Sequence, residues 1–185
     1  MTDVRLRKRS SSPEPRLVQV YTGSGKGKTT AALGLALRAC GHGLSVLMIQ
    51  FMKKHPRSGE LLASGWIPGF SLIRCGTSEF VKKGRIRERD RASARSGFED
   101  AFRAVREGKH DMIILDEIAT VVEYGLLNVD DVLTLIRTKP GSIEWVLTGR
   151  NAHLDLIAAA DLVSEIRDIK HPFDKGIGPR AGIEY

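Results

Sequence analysis

The stretch Thr22-Gly23-Ser24-Gly25-Lys26-Gly27-Lys28-Thr29 decides the fold of this chain. It follows the apolar run 17–21, which is typical of a strand, and precedes residues 29–40, which have the composition of a buried helix. Such a glycine-rich stretch binds phosphate when a strand precedes it and a helix follows it. Its glycines let backbone N–H groups turn toward an anion, and the start of the helix adds the positive end of its dipole. The stretch therefore predicts a site for the phosphates of a nucleoside triphosphate.

The end of this phosphate loop suggests particular ligands. Lys28 can reach phosphate oxygens, and the hydroxyl of Thr29 can ligate Mg²⁺. Thr22 departs from the general pattern, which has glycine at that position. A glycine-rich turn without a ligand is the alternative, and the flanking strand and helix argue against it. The loop residues assigned to ATP binding are Gly23, Ser24, Gly25, Lys26, Gly27, Lys28, Thr29 and Thr30.

Two later segments place further polar side chains after predicted strands. Asp116 and Glu117 follow an apolar run, and either carboxylate can hold Mg²⁺ directly or through water. Arg150 follows the predicted strand 143–147, where its guanidinium can contact a triphosphate. Open α/β sheets bind their ligands along the edge formed by the carboxyl ends of the strands. We therefore predict Lys28 and Arg150 as the catalytic pair that stabilises the triphosphate, and Arg150 as a further ATP-binding residue.

Composition limits the classes of protein that this sequence can encode. The chain has 185 residues, 42% of them hydrophobic, which suits one domain with a sizeable core. The sequence has no apolar run of membrane-spanning length and no signal peptide, so we expect a cytoplasmic protein without a membrane partner. The net charge of +7 suits nucleic acid or a polyphosphate substrate. Aromatic residues do not alternate with these charges, so no nucleic-acid partner is predicted. Cys40 and Cys75 are not spaced as zinc ligands and are expected in or near the core.

Short apolar runs alternate with helical patterns from residue 17 onward. This alternation predicts an α/β protein with three layers, in which helices cover both faces of a mostly parallel sheet of about six strands. With the phosphate loop, it indicates a P-loop fold of the RecA-like type. Residues 1–16 are predicted to be a flexible basic tail and 17–185 the nucleotide-binding domain, with a long loop over 52–69. Strands are predicted over 17–21, 44–51, 70–75, 111–115, 143–147 and 162–169, and helices over 29–40, 87–108, 129–138 and 151–159.

Several pieces in order resemble the ATP:corrinoid adenosyltransferases of the CobA type, over roughly residues 17–185. Thr22 is usual in that family, so its departure from the general pattern becomes an argument for the resemblance. Two segments differ from many members: Ser24 stands in place of asparagine, and 76–80 stands in place of Gly-Phe-Thr-Trp. The matching pieces are 20–32, Ala39-Cys40-Gly41-His42-Gly43, Gln50-Phe51, Leu115-Asp116-Glu117, Leu147-Thr148-Gly149-Arg150, 160–165, Lys170-His171-Pro172-Phe173, Gly176-Ile177 and Gly182-Ile183-Glu184-Tyr185.

The resemblance implies a reaction, its substrates and its partners. The family transfers the 5′-deoxyadenosyl group of Mg²⁺-ATP to Co(I) of a corrinoid and releases triphosphate, with ATP reversed in the loop relative to ordinary P-loop enzymes. A reduced flavoprotein supplies the electron, and a homodimer is expected. By the same resemblance, Phe80 and His171 are candidate corrinoid-binding residues, and a purely structural role is the alternative for His171. The loop and strand-end patterns described above make Thr29, Glu117 and Asp116 the predicted metal ligands. Phe80 is the candidate for the family's aromatic lid.

Two other functions stay open at this level. An ordinary P-loop NTPase or kinase would cleave ATP at the γ-phosphate, and a corrinoid or nucleotide carrier would bind without consuming ATP. Thr22 and the C-terminal segments 170–173 and 182–185 argue against an ordinary NTPase or kinase. The presence of Lys28, Thr29 and Glu117 argues against a carrier.

Overall fold

The computed structural model describes residues 15–53, 58–76, 81, 83–138 and 141–185. Within these residues, six strands form one sheet in the order β3-β2-β4-β5-β1-β6, and every adjacent pair is parallel. The strands are β1 Val18–Thr22, β2 Val46–Phe51, β3 Phe70–Cys75, β4 Met112–Asp116, β5 Glu144–Thr148 and β6 Leu162–Glu165. The α-helices are α1 Lys28–Gly41, α2 Gly59–Ser64, α3 Glu88–Glu107, α4 Ile118–Glu123, α5 Val129–Arg137 and α6 Leu154–Ala159, and a 3₁₀ helix spans Pro172–Lys175. The predicted α/β P-loop fold is confirmed.

The sheet separates two layers of apolar packing, because successive side chains of a strand point to opposite faces. Met48, Ile114 and Val146 belong to the cluster that includes the alanines of α1. Ile49 and Leu115 belong to the larger cluster on the other face, which α3, α4 and α5 cover. Strands β2 and β4 are buried along their whole length, as expected of central strands covered on both faces.

The strand order determines which loops can meet. β1 lies between β5 and β6, and β5 lies between β1 and β4, so the carboxyl ends of β4, β5 and β1 are neighbours. β2 pairs with β4 on the other side, with Gln50 opposite Asp116. The residues that follow these strands therefore share one edge of the sheet.

Most predicted elements occur within a few residues of their expected limits, and three expectations were wrong. Helix α1 is not buried all round, since alanines face the sheet whereas Leu37 is 60% exposed. Residues 59–64 form α2 inside the segment predicted to be a loop. The last strand ends at Glu165 and not at residue 169. Both cysteines lie in or near the core as expected, with Cys75 buried and Cys40 half-buried.

Residues 1–14 of the predicted tail lie outside the described residues. In the described part of the chain, every helix is too short or too polar to cross a bilayer.

Candidate functional site

The phosphate loop connects β1 to α1 and is closed by the side chain of Lys28. The Lys28 ammonium donates hydrogen bonds of 2.7 Å to the carbonyl oxygens of both Gly23 and Gly25. Only 7% of Lys28 is exposed. Burial lowers the pKa of Lys28, the Glu117 carboxylate opposes that shift, and the positive charges of Arg150 and Lys53 add to it. The Lys28 ammonium is therefore enclosed by the phosphate loop. A nearby anion would stabilise its positive charge, which burial disfavours.

Residues 165–167, which end β6 and follow it, lie directly over this loop. The Gly25 N–H donates to the Ile166 carbonyl at 2.8 Å, and the Ile166 N–H donates to the Thr22 carbonyl at 2.8 Å. A Cβ at Gly25 would lie 2.6 Å from the carbonyl carbon and oxygen of Arg167. The sequence predicted that the glycines turn N–H groups toward an anion, but the Gly25 N–H is bonded within the protein. Glycine is required at 25 because the backbone of Arg167 passes so close.

Thr22 has a structural role that glycine could not fill. Its side chain is buried, and its Oγ1 accepts a 3.1 Å hydrogen bond from the backbone N–H of Ala152. This bond joins the end of β1 to the segment between β5 and α6. The threonine that departs from the general phosphate-loop pattern therefore holds two parts of the site together.

Asp116, the last residue of β4, is fully buried and accepts hydrogen bonds from four side chains. Its Oδ1 accepts from the hydroxyl of Thr29 at 2.9 Å and from that of Thr148 at 2.6 Å. Its Oδ2 accepts from Lys53 Nζ at 2.8 Å and from Gln50 Nε2 at 3.2 Å. The predicted pair of Thr29 and Asp116 is thus in direct contact.

Glu117 adopts the left-handed backbone conformation, with φ 67°, and caps the start of α4. Its N–H donates to Thr148 Oγ1 at 3.0 Å, and its Oε2 accepts from Thr120 Oγ1 at 2.7 Å. A non-glycine residue in this conformation is uncommon and carries strain that the surrounding structure must hold. The turn directs the Glu117 carboxylate toward Lys53, whose Nζ lies 3.6 Å from Oε1.

Lys53 was not singled out by the sequence analysis. It follows β2, and its Nζ contacts Asp116 and also donates to Thr29 Oγ1 at 2.7 Å. Burial lowers the pKa of Lys53, but the Asp116 and Glu117 carboxylates outweigh that effect and leave its pKa raised. Lys53 follows the predicted strand that contains Gln50 and so lies at the same edge of the sheet. That position could have identified it from the sequence.

The oxygen atoms around the Lys53 ammonium suit Mg²⁺. They are one hydroxyl and two carboxylates, from Thr29, Asp116 and Glu117, and Mg²⁺ prefers such hard oxygen ligands. The described residues contain no group of three or more histidine, cysteine or acidic side chains arranged to hold a metal.

Arg150 follows β5, and its backbone N–H donates to Thr120 Oγ1 at 3.0 Å. The preceding Gly149 has φ 144°, and a Cβ there would lie 2.7 Å from the Thr120 nitrogen. This close approach places Arg150 beside α4, with its side chain exposed at the same edge as Lys28. Ser24, Lys26 and Thr30 are also exposed around the loop.

The C-terminal residues Gly182–Tyr185 contact the phosphate loop. Lys26 Nζ lies 3.4 Å from a Glu184 carboxylate oxygen and donates to the Ile183 carbonyl at 3.4 Å. Hydrogen bonds from the side chain and backbone of Arg180 lower the pKa of Glu184 to about 2. These contacts bring the motif Gly182–Tyr185 to the site.

The structure gives His171 a local capping role. Its Nδ1 accepts a 3.2 Å hydrogen bond from the Phe173 N–H at the start of the 3₁₀ helix. Phe173 itself is 71% exposed. Phe80, the other predicted corrinoid-binding residue, lies outside the described residues.

Comparisons with known proteins agree along the length of the chain. The model of a family described as ATP:corrinoid adenosyltransferase BtuR/CobO/CobP matches residues 14–185. The corrinoid adenosyltransferase CobA of Salmonella typhimurium is 36% identical over 184 residues, which cover 98% of this chain and 92% of that protein. The corrinoid adenosyltransferase of Escherichia coli K12 is 37% identical with the same coverage. That of Pseudomonas aeruginosa is 33% identical over 172 residues, covering 93% of this chain and 85% of the relative.

Proposed function

The chain belongs to the family of ATP:corrinoid adenosyltransferases, and from this premise we propose that it transfers the 5′-deoxyadenosyl group of ATP to Co(I) of a corrinoid. Inorganic triphosphate is the second product. The observation that carries the proposal is the contact between the phosphate loop and the C-terminal motif Gly182–Tyr185, which Lys26 makes with Ile183 and Glu184. This contact supports a nucleotide site that includes the C-terminal motif Gly182–Tyr185.

The reaction makes few chemical demands on side chains. The electron pair of Co(I) attacks C5′ of ATP, a Co–C bond forms, and the C5′–O bond breaks with its electrons left on the triphosphate. No proton is transferred, so no general base is needed. Holding C5′ against cobalt and stabilising the departing triphosphate are then the tasks of the protein.

Lys28 and Arg150 suit the second task. The Lys28 ammonium has three N–H donors, two of which bind the carbonyls of Gly23 and Gly25, so one is left for a phosphate oxygen. Arg150 adds a guanidinium on the exposed side of the loop, where a bidentate contact to phosphate is possible. The Lys28 charge is held by the two carbonyls, and the Arg150 backbone is held by its hydrogen bond to Thr120.

Thr29, Asp116 and Glu117 would hold Mg²⁺ beside the triphosphate. Bound there, the ion neutralises part of the charge that develops on the leaving group. Thr148 and Gln50 orient the Asp116 carboxylate, and Thr120 orients that of Glu117. The side chains that would carry the ion are therefore held in place by their neighbours.

Other parts of the proposal rest on the family resemblance. They are a homodimer, a reduced flavoprotein as electron donor, a cytoplasmic location, and His171 and Phe80 on the corrinoid side. Phe173, beside His171, contributes an exposed ring that suits a large planar ligand.

Analysis of the products tests the proposal against its rivals. With Mg²⁺-ATP and a chemically reduced corrinoid, we expect a light-sensitive Co–C bond and one triphosphate for each corrinoid converted. ADP and phosphate without adenosylated corrinoid would identify an ordinary NTPase. Corrinoid binding without ATP consumption would identify a carrier.

A further inference from the structure

Lys53 occupies the position that a metal ion would need. Its Nζ lies 2.7 Å from Thr29 Oγ1, 2.8 Å from Asp116 Oδ2 and 3.6 Å from Glu117 Oε1. These belong to the same three side chains that the proposed function assigns to Mg²⁺. The Lys53 ammonium is therefore a cation that already contacts the proposed metal ligands.

The ammonium and a metal ion cannot both use Asp116. The Asp116 side chain is fully buried, and its Oδ1 accepts from the hydroxyls of Thr29 and Thr148. Only Oδ2 faces Lys53, and an ion bound to that oxygen would stand within contact distance of Nζ. Two cations at such a distance repel strongly in a partly buried site. Loading of the metal thus requires that Lys53 move away.

Lys53 is able to move, but it needs a new anionic partner. Its side chain is 34% exposed, so protein atoms do not enclose it completely. Withdrawing it from two carboxylates without compensation is costly in a partly buried environment. A triphosphate in the loop that begins at Gly23 would supply the replacement, because it lies next to Thr29 and carries several negative charges.

We propose that the Lys53 ammonium prevents a free Mg²⁺ ion from binding to Thr29, Asp116 and Glu117. Lys53 leaves these oxygens only when a triphosphate binds, so that the metal ion and the nucleotide bind together. This inference rests on the proposed function for the identity of the ligands. It assigns a positioning role to a residue that contacts the metal ligands, and it makes Lys53 a determinant of Mg²⁺-triphosphate recognition. If Lys53 only stabilised the fold and the metal ion bound elsewhere, replacing Lys53 would leave the affinity for a free metal ion unchanged.

Binding of Mn²⁺, followed by the electron paramagnetic resonance signal of the free ion, separates these roles. Without nucleotide, Lys53→Met should bind Mn²⁺ about tenfold more tightly than the wild type or better, because the competing charge is gone. The wild type should gain a comparable affinity for Mn²⁺ only when inorganic triphosphate is added, measured as the Mn²⁺ that stays with the protein beyond the amount that the same triphosphate binds without protein. Lys109→Met removes a lysine that pairs with Glu107 at the surface and should leave Mn²⁺ binding unchanged.

A second variant protects the test against loss of folding. Lys53→Gln retains a hydrogen-bond donor for the buried Asp116 but carries no charge, and it should show the same gain in Mn²⁺ affinity. Circular dichroism establishes that each variant is folded. Equal Mn²⁺ affinities of the wild type and the folded Lys53 variants without triphosphate would overturn the proposal.

These measurements use neither ATP nor corrinoid. A protein that fails to adenosylate a corrinoid can still show the competition at Lys53, and an active adenosyltransferase can lack it. A negative result for the competition at Lys53 can therefore be distinguished from a negative result for the adenosyltransferase activity.

Discussion

Thr148 donates a 2.6 Å hydrogen bond from its Oγ1 to Oδ1 of Asp116 and so joins the carboxyl ends of β5 and β4. The same oxygen accepts from the Glu117 N–H at 3.0 Å. One fully buried hydroxyl therefore positions both of the predicted metal-binding acids.

Replacing Thr148 by valine should destabilise the protein and weaken Mg²⁺ binding together. Valine fills the same space but leaves a buried carboxylate oxygen and a backbone N–H short of a partner, which costs about 1–3 kcal/mol. Urea unfolding measures the stability, and Mg²⁺ titration of ATP binding measures the metal site. Thr148→Ser, which retains the hydroxyl, is the matched control and should stay close to the wild type. Normal stability of the valine variant would contradict this account of the hydrogen bonds.

Lys28→Ala should lower kcat/KM by about 30- to 900-fold while the fold persists. Lys28 is buried inside the phosphate loop, and loss of one such donor to a leaving group costs roughly 2–4 kcal/mol of transition-state stabilisation. Steady-state kinetics gives kcat/KM, and thermal melting verifies the fold. Lys109→Ala is the control, since Lys109 is exposed and pairs with Glu107 at the surface, and it should leave kcat/KM unchanged. A Lys28 variant with near-normal kcat/KM would remove Lys28 from the catalytic residues.

Glu117→Gln should raise the Mg²⁺ concentration needed for half-maximal activity. The amide keeps the size of the side chain and can still accept from Thr120, but it loses the charge that attracts the ion. Activity measured against Mg²⁺ concentration, at saturating total ATP, tests this. Glu123→Gln changes an acid at the other end of α4, which bonds Lys83 and Asn151, and should leave the titration unchanged. An unaltered titration for Glu117→Gln would exclude Glu117 from the metal site.

Gly25→Ala should impair ATP binding and lower stability by about 1–3 kcal/mol, the usual cost of forcing atoms into a packed site. The added Cβ would meet the Arg167 backbone at 2.6 Å, and neither segment has a flexible side chain at the contact that could yield. Gly34→Ala offers the matched comparison inside α1. A Cβ at that position meets nothing within 4 Å, so alanine should stabilise the helix by about 0.5–1 kcal/mol. Isothermal titration with ATP and chemical unfolding check both variants, and a Gly25 variant that binds ATP normally would contradict the packing argument.

The Glu184 carboxyl should titrate far below an ordinary glutamate. Hydrogen bonds from Arg180 lower its pKa to about 2, and Lys26 adds a smaller effect. Because the folded pKa is depressed, the contribution of this contact to stability is complete above the pKa of the unfolded chain and is lost as pH falls through about 2. Carbon-detected NMR of the side-chain carboxyl follows the titration directly. A midpoint near 4.5, the ordinary value, would show that the contact with Arg180 does not form in solution.

The sequence predicted the parts of this structure that local patterns determine. Buried strands such as β2 appear as apolar runs, and the glycine-rich loop lies between a strand and a helix. The burial of α1 was overestimated because it was inferred from an apolar composition on all sides, whereas the buried face of the helix contains Ala32, Ala36 and Ala39. Small residues there let the helix lie close to the sheet, which leaves Leu37 outside.

The remaining elements and site residues depend on long-range contacts. Helix α4 begins after a left-handed Glu117, a conformation that no propensity predicts and that Thr148 and Thr120 hold. Lys53 and Thr148 follow or end different strands, and only the strand order brings them to Asp116. The roles of Lys28 and Arg150 in catalysis and of His171 at the corrinoid stay predictions.

The hydrogen bond from the Gly25 N–H to the Ile166 carbonyl has a thermodynamic consequence. It ties the loop to the edge strand β6, so the loop and the strand should protect their amides from hydrogen exchange as one cooperative unit. The conformational entropy of the loop is then lost once, during folding, and not again each time a nucleotide enters. An incoming triphosphate meets a rigid cradle, and its association should proceed with little change in heat capacity beyond that of the surface it covers.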